Sequence, residues 1–101
     1  MDFQEVIHIL KEQFNCDAII LFGSYARGDQ RKDSDVDIAI KSNENITKKQ
    51  LFEMTEKLEQ ILKKDVDLID LNTISDSFRY EILMNGKVLY CKDSFQFDLY
   101  K

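Results

Sequence analysis

Two periodicities of apolar residues run along this chain and predict most of its secondary structure. Residues 2–14 carry an apolar stripe at helical spacing, formed by Phe3, Val6, Ile7, Leu10 and Phe14. Residues 48–64 carry a second stripe, formed by Leu51, Met54, Leu58, Ile61 and Leu62. Thr47 and Gln50 are spaced as a capping box at the start of this second helix. A third helix is predicted over residues 74–85, with Asn85-Gly86 as its C-terminal cap.

Short runs of strand-forming residues separate these helices. They occupy residues 17–22, 35–41, 65–71 and 87–91. Between the first two runs, residues 24–28 predict one short helical turn. Helices interleaved with short apolar strands predict an α/β sheet domain. Since no repeat or linker divides residues 1–101, we expect one domain.

Composition and charge narrow the classes of protein to which the chain can belong. Its 101 residues are 44% hydrophobic and carry a net charge of −5, which argues against general binding to nucleic-acid backbones. No apolar run approaches the length of a membrane span, and the N-terminus lacks the pattern of a signal peptide. Cys16 and Cys91 predict free thiols, with one disulfide left open. We therefore expect a cytoplasmic protein without membrane contact.

The first candidate for chemistry is the turn Gly23-Ser24 that follows the first strand. A strand that ends in Gly-Ser and opens a helical turn offers backbone N–H groups and a hydroxyl to a phosphate. Arg27, Arg31 and Lys32 place positive charge nearby. The alternative is an ordinary strand–helix turn with Ser24 as N-cap, which is the commoner role for an isolated Gly-Ser.

The second candidate is a set of carboxylates on two strands. Asp35 and Asp37 point to the same face of a strand, where a cation would relieve their repulsion. Oxygen ligands alone suit Mg²⁺ or Mn²⁺. Asp67 lies between Val66 and Leu68, in an apolar strand where an unpaired charge would be costly. If the two strands are neighbours, the three carboxylates form a two-metal phosphoryl-transfer centre; the alternative for the Asp-x-Asp pair is a solvated strand edge.

Two further acids of the third strand are weaker candidates. Asp65 lies at the entry of that strand, and Asp70 lies on the face opposite Asp67. Asp67 is therefore the preferred third carboxylate, with Asp65 and Asp70 behind it.

These motifs resemble those of a known family. Gly23-Ser24, ten intervening residues and then Asp35-Val36-Asp37 is the pattern of the polymerase-β-like nucleotidyltransferase superfamily. The fuller string resembles the superfamily's minimal nucleotidyltransferase (MNT) members, which act as antitoxins in HEPN/MNT toxin–antitoxin systems. The likeness continues through residues 66–71 and 86–90, although Asp29 stands where glutamate or threonine is frequent.

The resemblance implies a fold, a reaction and a set of roles. It implies a mixed central sheet flanked by helices, with ATP as nucleotide donor and two Mg²⁺ ions, or Mn²⁺, as cofactors. Gly23 and Ser24, with Arg27 in support, would bind the triphosphate. Asp35, Asp37 and Asp67 would be the catalytic metal ligands, with Asp67 also the base.

The resemblance also implies an acceptor and a partner. An acceptor hydroxyl would attack the α-phosphorus of ATP and pyrophosphate would leave. The expected acceptor is a tyrosine of a HEPN ribonuclease toxin, which the transferred AMP silences. A minimal chain without an obvious acceptor-recognition domain favours such a protein partner.

Two alternatives stand beside this hypothesis. One is an antitoxin that masks its toxin by binding, without catalysis. The other is nucleotidyl transfer to a small-molecule hydroxyl, although such enzymes usually carry an additional helical domain. The oligomeric state, homo- or hetero-oligomeric, stays open. So does the role of the tail aromatics Phe95, Phe97 and Tyr100, which could contact a partner or another subunit.

Overall fold

The computed structural model describes residues 2–92, which form one four-stranded sheet with helices on both faces. The helices are α1 (Gln4–Phe14), α2 (Ser24–Arg27), α3 (Lys48–Leu62) and α4 (Asp76–Asn85), with a 3₁₀ turn over Leu71–Thr73. The strands are β1 (Cys16–Phe22), β2 (Val36–Ser42), β3 (Val66–Asp70) and β4 (Lys87–Cys91). Every predicted strand and helix is present. The tail aromatics Phe95, Phe97 and Tyr100 lie outside the described residues.

The sheet is mixed, with strand order β3-β2-β1-β4. Strand β1 is antiparallel to both β2 and β4, whereas β2 is parallel to β3. A parallel pair needs a long crossover connection, and α3 supplies it between β2 and β3. The predicted fold class, a mixed sheet flanked by helices, is confirmed. The strands of Asp37 and Asp67 are neighbours, which is the condition for the three carboxylates to share one site.

Each face of the sheet packs against a different set of helices. On one face, alternate residues of β2 such as Ile38 and Ile40 join a core with Leu10 of α1 and Leu58 of α3. On the other face, a smaller cluster is formed by Ile20, Ala39, Leu71, Ile82 and Leu83. Because strand side chains alternate between faces, Asp37 shares the second face with Ala39. The carboxylate face is therefore the one that α4 covers in part.

Helix boundaries follow the capping residues. The capping box at the start of α3 is confirmed: Thr47 Oγ1 accepts from the Gln50 backbone N–H at 3.1 Å, and Gln50 Oε1 accepts from the Thr47 N–H at 2.9 Å. Helix α3 ends at Leu62, two residues before the predicted end, because Lys63 takes a left-handed φ of 58°. Helix α4 begins at Asp76 rather than at residue 74, because Ser75 caps it.

Gly86 is the C-terminal cap of α4, as predicted, and its backbone N–H donates to the Ile82 carbonyl at 2.7 Å. Its φ of −78° is not left-handed, so the backbone conformation of this cap does not itself require glycine. A Cβ atom at Gly86 would lie 2.5 Å from Ile20 Cγ2 and 2.5 Å from the Ile82 carbonyl oxygen. Glycine is needed here because α4 and β1 approach closely.

The structure also bears on the predictions about the two cysteines and about membrane-spanning segments. Cys16 is buried and Cys91 half-buried, and both are free thiols, so the disulfide that the sequence left open is not formed. None of the helices within residues 2–92 is long and apolar enough to cross a membrane.

Candidate active site

The Gly23 turn connects β1 to α2 and has a conformation that only glycine adopts readily. Gly23 has φ 70° and ψ −150°, and it is the N-cap of α2. Its carbonyl accepts the backbone N–H groups of Ala26 and Arg27 at 3.1 and 3.2 Å. Ser24 is the first helical residue, so the alternative in which Ser24 is an ordinary N-cap is wrong.

The same turn lies directly against a carboxylate. A Cβ atom at Gly23 would overlap Asp37 Oδ2. Phe22, the last residue of β1, is also the register partner of Asp37 across the antiparallel pair. The backbone of the predicted phosphate turn and one of the predicted metal ligands therefore meet without an intervening side chain.

The predicted carboxylates lie along one face of β2 and β3. Asp37 and Asp67 are register partners on the two parallel strands, which are about 4.8 Å apart in such sheets. Asp35 is exposed just before β2 and shares the face of Asp37. Asp67 is exposed as well, so the expectation of a costly buried charge at this position was wrong: β3 is an edge strand whose face is open there.

The other two acids of β3 play structural parts. Asp70 is the buried one, at 4% exposure, and its Oδ1 accepts from the Asn72 backbone N–H at 3.0 Å. The backbone carbonyl of Asp65 accepts from the Val36 N–H at 2.9 Å and so begins the parallel ladder. Asp67 therefore stays the preferred third carboxylate on this strand.

Electrostatics at Asp37 favour a bound cation. Burial raises the pKa of Asp37, the negative charges of Asp67 and Asp35 raise it further, and the Arg27 guanidinium lowers it. A divalent cation would neutralise this excess of negative charge, and carboxylate oxygens are suitable ligands for Mg²⁺. Within residues 2–92, no three acidic, histidine or cysteine side chains are grouped tightly enough to hold an ion by themselves. The carboxylates would therefore hold a metal only together with further ligands, and Mg²⁺ commonly takes substrate phosphates and water as such ligands.

The three positively charged residues that the sequence places near the phosphate turn differ in their partners. Arg27 pairs with Asp29 at 3.2 Å, and both side chains are more than half exposed. Lys32 lies beside Asp35 in a cavity of about 460 Å³, where its carbonyl accepts from Lys64 Nζ. Arg31 is exposed, and its backbone N–H donates to Ser34 Oγ at 2.7 Å. Of the three cations, Arg27 is the one whose charge acts on Asp37.

Sequence reasoning missed a second cavity on the carboxylate face. It has a volume of about 300 Å³ and lies between the Gly23 turn and α4, and its walls include Phe22, Gly23, Arg27, Phe78, Glu81 and Asn85. Phe22 and Phe78 meet edge to face, with ring centroids 6.1 Å apart. The feature of the sequence that could have indicated this cavity is the four-residue spacing of Glu81 and Asn85, which places both side chains on one face of a helix.

Comparisons with known proteins identify the family of this chain. The family model described as polymerase beta, nucleotidyltransferase, matches residues 4–95. The protein adenylyltransferase MntA of Shewanella oneidensis is 33% identical over 87 residues, which are 85% of this chain and 63% of that protein. The matched region thus spans less than two thirds of that relative.

Two solved structures share the fold over almost the whole chain. A chain from the crystal structure of a toxin–antitoxin with AMP-PNP has a TM-score of 0.93 and 30% identity, covering 99% of this chain and 81% of that one. A chain from the structure of tri-AMPylated Shewanella oneidensis HEPN toxin in complex with MNT antitoxin has a TM-score of 0.80 and 28% identity. That match covers 95% of this chain and 74% of the other.

Proposed function

This chain belongs to the polymerase beta nucleotidyltransferase family, and we propose that it transfers AMP from ATP to a protein hydroxyl. One observation carries the proposal: the Gly23 backbone lies against the Asp37 carboxylate, and Asp37 is the register partner of Asp67. A phosphate-binding turn and metal-binding carboxylates must touch if one substrate is to contact both.

The residues divide between holding the donor and activating the acceptor. Gly23 and Ser24 bind the triphosphate, and Arg27 supports its negative charge. Asp35, Asp37 and Asp67 hold two Mg²⁺ ions, or Mn²⁺, together with phosphate oxygens and water. When bound, these ions supply positive charge that stabilises the phosphoryl oxygens during transfer.

Asp67 also receives the proton in this proposal. Its exposed position on the edge strand β3 leaves it open to an incoming hydroxyl. The acceptor oxygen forms a bond to the α-phosphorus, the bond from that phosphorus to the pyrophosphate oxygen breaks, and the hydroxyl proton passes to Asp67. Asp35 and Asp37 take no proton in this proposal and would serve as metal ligands only.

The acceptor we propose is a tyrosine of a HEPN toxin, so that the chain acts as an antitoxin in a hetero-oligomer. The support is the named activity of the Shewanella relative and the AMPylated state of the HEPN toxin in the complex with an MNT antitoxin. Because the donor is ATP and the target is a ribonuclease, the reaction belongs in the cytoplasm.

Mass spectrometry of the toxin tests this function. A candidate HEPN toxin is incubated with this chain, ATP and Mg²⁺, and each transferred AMP adds about 329 Da to its mass. We expect Asp37→Asn to abolish the gain, because the variant loses a metal ligand. Glu56→Gln, which changes an exposed acid on α3, should leave it intact.

The alternative function predicts a different result. If the toxin gains no mass but is bound and silenced equally by the wild type and by Asp37→Asn, the chain masks its toxin without catalysis. A mass gain that persists in Asp37→Asn would contradict the assigned site.

A further inference from the structure

The three proposed metal ligands differ in how the fold holds them. Asp37 and Asp67 are inside β2 and β3, where the ladder between the two strands fixes their backbones. Asp35 comes just before β2, at the end of a mostly exposed loop over residues 28–35. A ligand on a loop is placed less precisely than one on a strand unless other contacts fix the loop. The position of Asp35 therefore depends on what holds this loop.

We propose that Lys64 is a positioning residue, which holds the loop so that Asp35 stays at the metal site. Lys64 Nζ donates to the backbone carbonyl of Lys32, three residues before Asp35. The inference rests on the proposed function, since it assumes that Asp35 binds a metal together with Asp37 and Asp67. It adds to that function a residue from the segment between α3 and β3.

Hydrogen bonds on both sides of Asp35 attach the loop to the segment that precedes β3. On one side, the Lys32 carbonyl accepts from Lys64 Nζ. On the other side, the Val36 backbone N–H donates to the Asp65 carbonyl at 2.9 Å. Without Lys64, Asp35 would keep its attachment through Val36 and lose the one through Lys32.

A turn inside the loop gives it a shape but does not attach it to the sheet. Ser34 Oγ accepts from the Arg31 backbone N–H at 2.7 Å, and the Ser34 N–H donates to the Arg31 carbonyl at 3.0 Å. Both partners belong to the loop, so these bonds would move with it. Lys64 instead reaches Lys32 from 32 residues away in the sequence. Its hydrogen bond can therefore fix the loop relative to β3.

The turn that carries Lys64 is itself held by Glu59 of α3. The Glu59 carbonyl accepts from the Lys63 backbone N–H at 2.9 Å, and Glu59 Oε2 accepts from the Val66 N–H at 3.0 Å. Glu59 thus binds the backbone on both sides of Lys64. Lys64 is half-buried, whereas Lys63 is exposed. Because its backbone and part of its side chain are already ordered, Lys64 loses less conformational entropy when it binds the loop.

The charge of Lys64 and its hydrogen bond predict opposite effects on metal binding. Lys63, Lys64 and Asp35 line the same cavity of about 460 Å³. A positive charge near the carboxylates repels a cation, so loss of the charge alone would strengthen metal binding. Loss of a contact that positions Asp35 would weaken it. The sign of the change therefore distinguishes a positioning role from a purely electrostatic one.

The test compares Lys64→Met with Lys63→Met and Lys64→Arg. The two methionine variants each remove one positive charge from the cavity, but only Lys64→Met removes the hydrogen bond to Lys32. The affinity for the Mn²⁺ complex of AMP-PNP is measured through the relaxation rate of water protons, which rises when the complex binds the protein. We expect Lys64→Met to weaken binding about tenfold, the lower end of the range for groups that orient metal ligands. Lys63→Met should bind at least as tightly as the wild type, and Lys64→Arg, which keeps charge and donor, should bind like the wild type.

Hydrogen exchange in the metal-free protein gives a second readout. The amides of residues 32–35 should exchange faster in Lys64→Met than in the wild type, because the loop opens more readily. Unchanged binding of the Mn²⁺ complex in Lys64→Met would overturn the inference and leave the proposed function intact. An equal weakening in Lys63→Met would also overturn it, since Lys64 would then have no special part. If the wild type does not bind the Mn²⁺ complex at all, the proposed function itself fails.

Discussion

Replacing Gly23 by alanine separates the cost of a strained backbone from the cost of displacing a carboxylate. Gly23 and Gly28 both have positive φ, 70° and 79°, so alanine is strained at either position. The backbone penalty is about 1–3 kcal/mol for the conformation of Gly23 and about 1–2 kcal/mol for the left-handed Gly28. For a domain of this size, each kcal/mol lowers the melting temperature by about 4–8 °C.

The two positions differ in what a Cβ atom would meet. At Gly23 it would overlap Asp37 Oδ2, whereas at Gly28 nothing lies within 4 Å. In Gly23→Ala the Asp37 carboxylate must therefore rotate away or the turn must shift. A displacement of about 1 Å at a reacting centre costs on the order of 100-fold in rate. We expect a loss of AMP transfer of that size in Gly23→Ala and retention of most of the rate in Gly28→Ala.

The assay combines thermal unfolding, followed by circular dichroism, with the rate of AMP transfer well below both melting temperatures. The prediction is that Gly23→Ala loses at least as much stability as Gly28→Ala, and that its loss of activity is far larger. Equal transfer rates in Gly23→Ala and Gly28→Ala would refute the reasoning, because they would show that the Gly23 backbone can move away from Asp37 without consequence.

Three further predictions concern the fold. Leu58→Ala should lower the free energy of unfolding by about 2–5 kcal/mol, since Leu58 is fully buried, while the exposed Phe52→Ala should change it little in the same denaturant titration. Thr47→Ala removes the acceptor of the Gln50 N–H and should cost about 1 kcal/mol; no loss of helix stability would contradict the cap. Burial, and then the charge of Asp17, raises the pKa of Cys16 from 9.0 to about 12, so the folded protein should resist alkylation there at mildly alkaline pH. The folded state holds the Cys16 thiol proton more tightly than the unfolded chain does, and this difference stabilises the fold. The stabilisation is fully present below pH 9.0 and is lost as the pH rises toward 12. Cys16→Ala should remove this part of the pH dependence of the free energy of unfolding.

The sequence predicted the parts of the fold that depend on local spacing. Thr47 and Gln50 have the three-residue spacing of a capping box, which predicts the start of a helix, and the structure contains that capping box. Asp35 and Asp37 share a face because strand side chains alternate. The sequence left open whether the strand of Asp67 neighbours that of Asp37, and the register of β2 and β3 shows that it does.

What the sequence did not predict depends on packing between distant segments. Apolar neighbours suggested that Asp67 is buried, but exposure on an edge strand is decided by what covers the sheet, and nothing within residues 2–92 buries Asp67. Gly86 was predicted as a helix cap and is one, but the contact that requires glycine there, with the Ile20 side chain of β1, joins segments far apart in the sequence. The cavity beside α4 was missed for the same reason, since its walls come from β1, α2 and α4 together.

The position of a radioactive label on ATP tests the central claim most directly. The HEPN toxin is incubated with this chain and Mg²⁺, in parallel with ATP labelled at the α-phosphate and with ATP labelled at the γ-phosphate. Attack on the α-phosphorus predicts that the toxin acquires the α label and not the γ label, and that neither label is acquired with Asp37→Asn. Incorporation of the γ label would show a kinase, and a toxin that is silenced without any label would show that the chain acts by binding alone.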